Sequence, residues 1–445
     1  MYVPAPALHG QKLDEGDLIR DVVAGRLIVP ETGQPLRSPI RSVRIDGDLS
    51  GGEADLIAAA GLTGQIAVVA DDNTWAALGR RVQRALPRTT PPIVLKRPRA
   101  DDATADDLAD RLRHADAIVA VGAGTINDLV KTVAHRSGRA YAVFGTALSM
   151  NGYTTTTASL FDAAGMKTTR PARAPVGVFL DIGAVANAPL RLTRAGLGDS
   201  VCRTTAQVDW LLSHLLLGTS YSDTPFQLQA ADEDRMLKLA GRLAWRDPEA
   251  YVALARILVL TGMGSFVTGT SHSGSMAEHM ISHSIDMLAG PDHPGSLHGE
   301  QVGIATLAVA RLQELVLDRA APPTLAAQVI SDETILTPFG AAGPACLAEF
   351  CKKEMDGPAR RHLTDKLASE WPGIRAKLRP KLKRRTELEA ALRAAGAPLT
   401  PEDIALPRKV WRDAVKLARL TRNRFTILDI AAESGLLDAE LDRLP

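Results

Sequence analysis

The sequence predicts an N-terminal α/β domain built on a parallel sheet, followed by a C-terminal domain made only of helices. Three observations carry this expectation. Apolar runs of five or six residues alternate with helical periodicity between Gly64 and Asp181. The runs are continuous rather than alternating, as strands covered on both faces require. After about Leu190 the strand signals stop, while helical periodicity continues. A chain of 445 residues is long for one core, so two domains are expected, 1–188 and 189–445.

Residues 1 to about 60 are punctuated by Pro and Gly, and only a short helix near Glu53 to Ala60 is expected there. The rhythm then begins with a strand at "QIAVVA" (65–70), a helix at "TWAALGRRVQRAL", a strand at "PIVLK" (92–96) and a helix at "TADDLADRLRH". It continues with strand "DAIVAVG" (116–122), helix "TINDLVKTVAHR" and strands "AYAVFG" (140–145) and "VGVFLD" (176–181). Segments such as "GDSVCRTTAQVDWLLSHLLLG" and "HGEQVGIATLAVARLQELVLD" then read as long helices.

Composition narrows the function. Lys plus Arg number 52 against 51 acidic residues, a formal net charge of +1, so neither nucleic acid nor an anionic membrane is an expected partner. The basic stretch "RAKLRPKLKRR" (375–385) reads as a solvated helix face. Cys202, Cys346 and Cys351 form no C-x-x-C pair, which fits a reducing cytoplasm. The N-terminus lacks a basic region followed by an apolar core, and no run of about 18 apolar residues occurs. Small-molecule chemistry is the expectation.

Two regions carry chemistry. In "VGAGTINDLVK" (121–131), Gly122 and Gly124 lie between a strand end and a helix start, where backbone N–H groups and the helix N-terminus can hold a pyrophosphate. The pattern is not G-x-G-x-x-G, and a tight turn with Thr125 and Asp128 as a capping box is an equal reading. Asp71, ending an earlier strand, can accept from an adenosine ribose and disfavour a 2′-phosphate, or merely start the next turn. The second region is 278–301, which holds four of ten histidines. His279 and His283 are one helical turn apart, and His298 opens the next helix. "HMISH" lacks the Glu of H-E-x-x-H, which counts against a zinc metalloprotease. A catalytic metal wants about three N/O ligands with an open position, and Asp199 is the candidate carboxylate. Singly, each histidine also reads as a satisfied structural residue.

In order, "VGAGTINDLVK", "SMNGY" (149–153), "GMKTT" (165–169), "GLGD" (196–199), "DW" (209–210), "AEHMISH" (277–283) and "LHGEQVG" (297–303) resemble the sn-glycerol-1-phosphate dehydrogenases. These belong with the iron-type alcohol dehydrogenases, glycerol dehydrogenases and dehydroquinate synthases. The resemblance runs from about Gly64 to about Leu317, and "AGAPLTPEDIAL" and "RNRFTILD" are similar to bacterial members.

The resemblance implies a dehydroquinate-synthase-like fold, NAD or NADP as cofactor, and one divalent metal, zinc first, with nickel or iron as alternatives. Asp199, His279 and His298 would be the ligands. Gly122, Gly124 and Thr125 would hold the pyrophosphate and Asp71 the ribose, with Asn127, Asp128, Thr146 and Ser149 adding cofactor contacts. Lys167 and His283 would be catalytic, and Lys167, Asn151 and His272 would face substrate. The implied reaction interconverts dihydroxyacetone phosphate and sn-glycerol 1-phosphate in a cytoplasmic homodimer, with a product that feeds phospholipid synthesis. Alternatives are a glycerol or other polyol dehydrogenase, a dehydroquinate-synthase-like lyase, and a cofactor-binding protein without turnover. Two departures bear on substrate: Asn151 replaces the family's usual Asp, and "SHSGSM" (271–276) places His272 and Met276 where many members have Arg and Gly.

Overall fold

Continuous apolar runs become the strands of one parallel sheet. The computed structural model describes residues 17–163, 165, 167–326 and 328–445, so most of the N-terminal stretch read above for an export signal lies outside the described residues. The strands are β1 (Ile28–Val29), β2 (Gln34–Pro35), β3 (Ser42–Asp46), β4 (Ile66–Asp71), β5 (Ile93–Leu95), β6 (Ala117–Gly122), β7 (Ala140–Gly145), β8 (Thr157–Phe161), β9 (Lys167–Pro171) and β10 (Gly177–Asp181). Six of them form the parallel sheet in the order β3-β10-β7-β6-β4-β5.

Alternate residues of these strands enter two different cores. Ala67, Val69, Ile118, Ala120, Val143 and Leu180 face one side, while Ile66, Val68, Ala70, Val119, Phe144 and Phe179 face the other. Both sides are covered, which is why the runs carry no polar alternation. The first core also takes in Leu254, Leu258 and Val259 of the Pro248–Met263 helix, so the helical half packs directly on the sheet.

Three local differences from the sequence reading have physical causes. The helix expected at 74–86 starts at Asp72 and contains a π-helical stretch, Trp75–Gly79, where the Trp75 ring lies over Gly79; a Cβ there would sit 2.7 Å from Trp75 Cε3. β3 is an edge strand whose residues are all half-buried or exposed, so "SVRID" carries no apolar run. The β8–β9 hairpin is likewise polar, and it projects Lys167 and Thr169 toward the crevice at the sheet's carboxyl edge.

From Ile182 onward every regular element among the described residues is helical. One stretch, Pro248–Thr268, is long and apolar enough to cross a membrane, but 78% of it is buried within the protein. Its Arg256 pairs with Asp232 at 2.6 Å and Asp17 at 3.1 Å, as a core helix of a folded domain allows. The basic 375–385 stretch is held by its own chain: Arg375 donates to the Leu317 carbonyl, Arg379 and Arg384 pair with Asp318, and Lys383 pairs with Asp234.

Two helices cross at unusually short range. Leu190–Ser200 and His298–Leu317 meet through Gly198, Gly299 and Gly303, and a Cβ on Gly198 would lie 2.1 Å from the Gly299 carbonyl oxygen. Glycine is required here by close approach, and the residues that follow or precede these glycines are Asp199 and His298.

Candidate active site

The carboxyl ends of β4, β6 and β7 open into a cavity of about 940 Å³ whose opposite wall is helical. Such a crevice is where open parallel sheets take their ligands.

At the sheet side, β6 runs through Ala123 into the Gly124–Ser137 helix, and no side chain caps that helix. Gly124, Thr125 and Ile126 line the cavity, so the first-turn N–H groups and the positive end of the helix dipole face it. The Thr125/Asp128 capping box does not form, because Asp128 Oδ2 instead accepts the Ser159 N–H of the hairpin at 3.2 Å. A Cβ on Gly124 would meet nothing closer than Met150 Sδ at 3.7 Å. Packing does not demand this glycine, whereas a phosphate approaching bare amides does. Asp71 starts the next helix, its Oδ1 accepting the Thr74 N–H at 2.8 Å as a cap, and the residue also lines the cavity.

On the helical side, Asp199, His279 and His298 converge, with one ligand atom from each within 4.8 Å of the others. His279 Nε2 is 3.4 Å and His298 Nε2 3.9 Å from Asp199 Oδ1. The tautomers, assigned from hydrogen bonds, put lone pairs inward. Glu278 Oε1 accepts the Met276 N–H, so it also accepts from His279 Nδ1 at 3.0 Å. Ser282 donates to Gln301 Oε1 at 2.7 Å, so its oxygen accepts from His298 Nδ1 at 3.0 Å. Asp199 Oδ2 accepts the Asn151 N–H at 2.7 Å, while the buried Oδ1 has no hydrogen-bond partner. Three inward-facing acceptors with an orphaned carboxylate oxygen fit a divalent cation. Burial holds His298 near 3, with Lys167 adding to the effect, so this imidazole is neutral, as ligation requires.

Two further groups flank the cluster. Lys167 Nζ is 3.1 Å from Asp286 Oδ2, and the other Asp286 oxygen takes contacts from His293 Nε2 and Gln301 Nε2. Burial opposes ionisation of Asp286, but Lys167, His293 and Gln301 outweigh it and hold the carboxyl far below its usual range. His283 Nδ1 lies 2.7 Å from Arg422 Nη2. A guanidinium only donates, so Nδ1 accepts and the imidazole proton sits on Nε2. Burial, then the Arg422 and Lys167 charges, keep His283 neutral by pushing its pKa well down.

Residues 44–189 match the model of a family described as iron-containing alcohol dehydrogenases. The glycerol-1-phosphate dehydrogenase [NAD(P)+] of Thermococcus kodakarensis is 30% identical over 282 residues, covering 63% of this chain and 79% of that one. The chain belongs to the glycerol-1-phosphate dehydrogenase family. The family member of Bacillus licheniformis is 27% identical over 388 residues, 85% of each chain. In fold, glycerol dehydrogenase from Schizosaccharomyces pombe superposes with a TM-score of 0.61 at 16% identity, covering 91% of this chain and 90% of that one. Maleylacetate reductase from a Rhizobium species does so at 0.58 and 16%, covering 92% and 96%.

Not every residue singled out by resemblance to the family reaches the cavity. Asp71, Gly124, Thr125, Asp128, Thr146, Ser149, Asn151 and Lys167 line it together with Asp199, His279, His283 and His298. Gly122 does not: it is buried, and a Cβ there would strike Ile126 Cβ at 2.6 Å, so it serves strand–helix packing. Asn127 is wholly buried between the Gly152 carbonyl and the Tyr141 hydroxyl. His272 turns away and stacks on Trp210 with ring centroids 5.4 Å apart. Glu278, Ser282, Asp286 and Gln301, which orient the imidazoles and Lys167, were missed. For Glu278, Ser282 and Asp286 the signal is a polar stripe, 278–279–282–283–286, along one helix; Gln301 lies on the next helix, outside that stripe.

The loop bearing Ser149 to Thr155 is secured by Lys131, a fully buried lysine that donates to the Gly152 and Thr157 carbonyls and Thr155 Oγ1. Burial lowers this lysine to about 8, so between pH 8 and 10.5 the unfolded chain binds more protons than the folded one. Relative to Lys131→Met, the wild-type protein should gain stability as pH rises through that window, by about 3 kcal/mol at most, read from denaturant midpoints.

Proposed function

We propose that the protein reduces the ketone of dihydroxyacetone phosphate to sn-glycerol 1-phosphate with NAD(P)H, and runs the reverse reaction with the oxidised cofactor. The observation that carries this is one cavity holding both an uncapped helix N-terminus at Gly124 and the Asp199/His279/His298 cluster with its lone pairs turned inward. Dinucleotide contacts come from residues 1–188 and metal donors from 189–445, which supports the two-domain division.

Asp199, His279 and His298 would hold a divalent cation, which would supply Lewis-acid polarisation of a carbonyl, and NAD(P)H bound at the Gly124 helix would supply hydride. Two imidazoles and one carboxylate, with a fourth position open, suit zinc. His283, protonated on Nε2, donates a hydrogen bond into the cavity but takes up no proton at that atom. Lys167 Nζ, held 3.1 Å from Asp286 Oδ2, is the group placed to give a proton to the oxygen formed from the ketone and regain it from solvent. Asn151 Nδ2 is buried without a hydrogen-bond partner, which leaves a donor for a substrate oxygen. The free thiols of Cys202, Cys346 and Cys351 support a reducing compartment.

Stereochemistry tests the proposal. Zinc-loaded protein with NAD+ should form NADH from sn-glycerol 1-phosphate and not from its sn-3 enantiomer; equal rates, or a preference for the enantiomer, would contradict it. Cofactor choice is tested at Asp71. Asp71→Asn keeps a helix-capping side chain and removes the charge, so kcat/KM with NADPH should rise about tenfold relative to NADH. An unchanged ratio would remove Asp71 from the ribose site.

A further inference from the structure

Buried cations in this protein have carboxylate partners almost everywhere. Lys353 pairs with Asp429 at 2.7 Å, Arg360 with Glu433 at 2.5 Å, and Arg203 with Glu233. Arg422 and Arg424, both half-buried, are exceptions: among the described residues neither forms an ion pair. Both lie beside the active-site cavity and hold neutral groups that line it. Arg422 Nη2 donates to Thr169 Oγ1 at 3.3 Å and to His283 Nδ1. Arg424 donates to Ser271 Oγ at 2.9 Å and to the Ser275 carbonyl. Thr169, His283, Ser271 and Ser275 are all cavity residues.

Setting two guanidinium groups close together with no carboxylate in direct contact is costly, and the more distant charges of Glu278 and Glu349 offset only part of it. Burial brings Arg422 down to about 10, and burial together with the Arg422 charge brings Arg424 to about 9. The cost is recovered when a doubly charged anion binds between the arginine side and the metal cluster. Guanidinium forks and hydroxyls are the groups that recognise phosphate esters. The cofactor pyrophosphate belongs at the Gly124 helix on the sheet side, so the arginine pair addresses a different anion. His272 cannot serve, since its ring is stacked on Trp210.

We infer that Arg422 and Arg424 form the subsite for the substrate's phosphate, with Thr169 and Ser271 as flanking donors. This subsite rests on the proposed phosphorylated substrate, and it makes these two residues the determinants of phosphorylated over unphosphorylated ketone.

The test uses the full-length protein with Arg422→Gln and Arg424→Gln made separately. In zinc-loaded enzyme each variant should raise the KM for dihydroxyacetone phosphate about 100-fold, as loss of a buried charge-assisted contact does. In Arg424→Gln, turnover of unphosphorylated dihydroxyacetone should stay within twofold of wild type, since that ketone has nothing for the arginine to hold; Arg422→Gln also frees His283 Nδ1, so it is read through the KM for dihydroxyacetone phosphate. A readout without turnover accompanies it: inorganic phosphate should raise the wild-type melting temperature and compete with dihydroxyacetone phosphate, and both effects should vanish in the variants. Arg424→Gln leaves His283 untouched, so it separates phosphate loss from disturbance of the imidazole. A KM for dihydroxyacetone phosphate within threefold of wild type in both variants overturns the subsite. Equal loss on both ketones in Arg424→Gln also overturns it, because that is what a structural role produces. Wild-type protein that ignores dihydroxyacetone phosphate yet is stabilised by phosphate through these arginines would refute the proposed substrate while upholding the subsite.

Discussion

His298→Ala protein is expected to lose its metal and its turnover while still binding NAD(P)H. The substitution removes one of three donors, and with it the Nε2 lone pair that Ser282 directs toward Asp199. Two remaining protein ligands are fewer than catalytic sites of this type keep. Lost Lewis-acid assistance is a matter of several kcal/mol, so kcat should fall by about 1,000-fold or more. The fold should tolerate the change, because His298 opens its helix and its removal leaves the Leu297/Glu300 cap bond in place. Cofactor affinity should stay within about twofold, since the Gly124 helix lies on the sheet side of the cavity. Elemental analysis, turnover and NADH fluorescence titration read the three quantities. Full metal content with full turnover would remove His298 from the ligand set.

Gly299→Ala is expected to damage both the fold and the site. The added Cβ would lie 1.9 Å from the Ala195 carbonyl oxygen, and this neighbour is backbone of the facing helix, which cannot rotate away. Alanine is about 1 kcal/mol better than glycine inside a helix, but forcing two packed helices apart typically costs about 3 kcal/mol, so the net effect is destabilising. The separation also acts on chemistry. Asp199 follows Gly198 on one helix and His298 precedes Gly299 on the other, so spreading the pair moves the two donors apart. A misplacement of about 1 Å at a catalytic group costs about 100-fold in rate. Zinc affinity and melting temperature should fall together; wild-type values for both would show that the helix crossing does not set the donor geometry.

How much of this was legible follows from where each signal resides. The central strands were readable because both faces are buried, which leaves uninterrupted apolar runs in "IAVVA", "AIVAVG" and "GVFLD". β3 and the β8–β9 hairpin were not, since their side chains are mostly half-exposed and polar. The convergence of Asp199, His279 and His298 was visible because both histidines fall within one short stretch and the aspartate in a glycine-marked helix. Gly122, Asn127 and His272 were assigned by pattern, and only three-dimensional packing reveals that they face Ile126, Tyr141 and Trp210 instead of the cavity. Arg422 and Arg424 lie in the "RNRFTILD" segment that resembles bacterial members, but no role was read for them, for an arginine in sequence reads as a surface charge until distant segments enclose it.

The most direct test follows NADH consumption by chelator-stripped protein, before and after zinc is restored, with dihydroxyacetone phosphate and dihydroxyacetone in parallel. NADH oxidation that appears only with zinc and strongly prefers the phosphorylated ketone is the predicted result. Turnover that survives stripping, or that is equally fast with the unphosphorylated ketone, would contradict it.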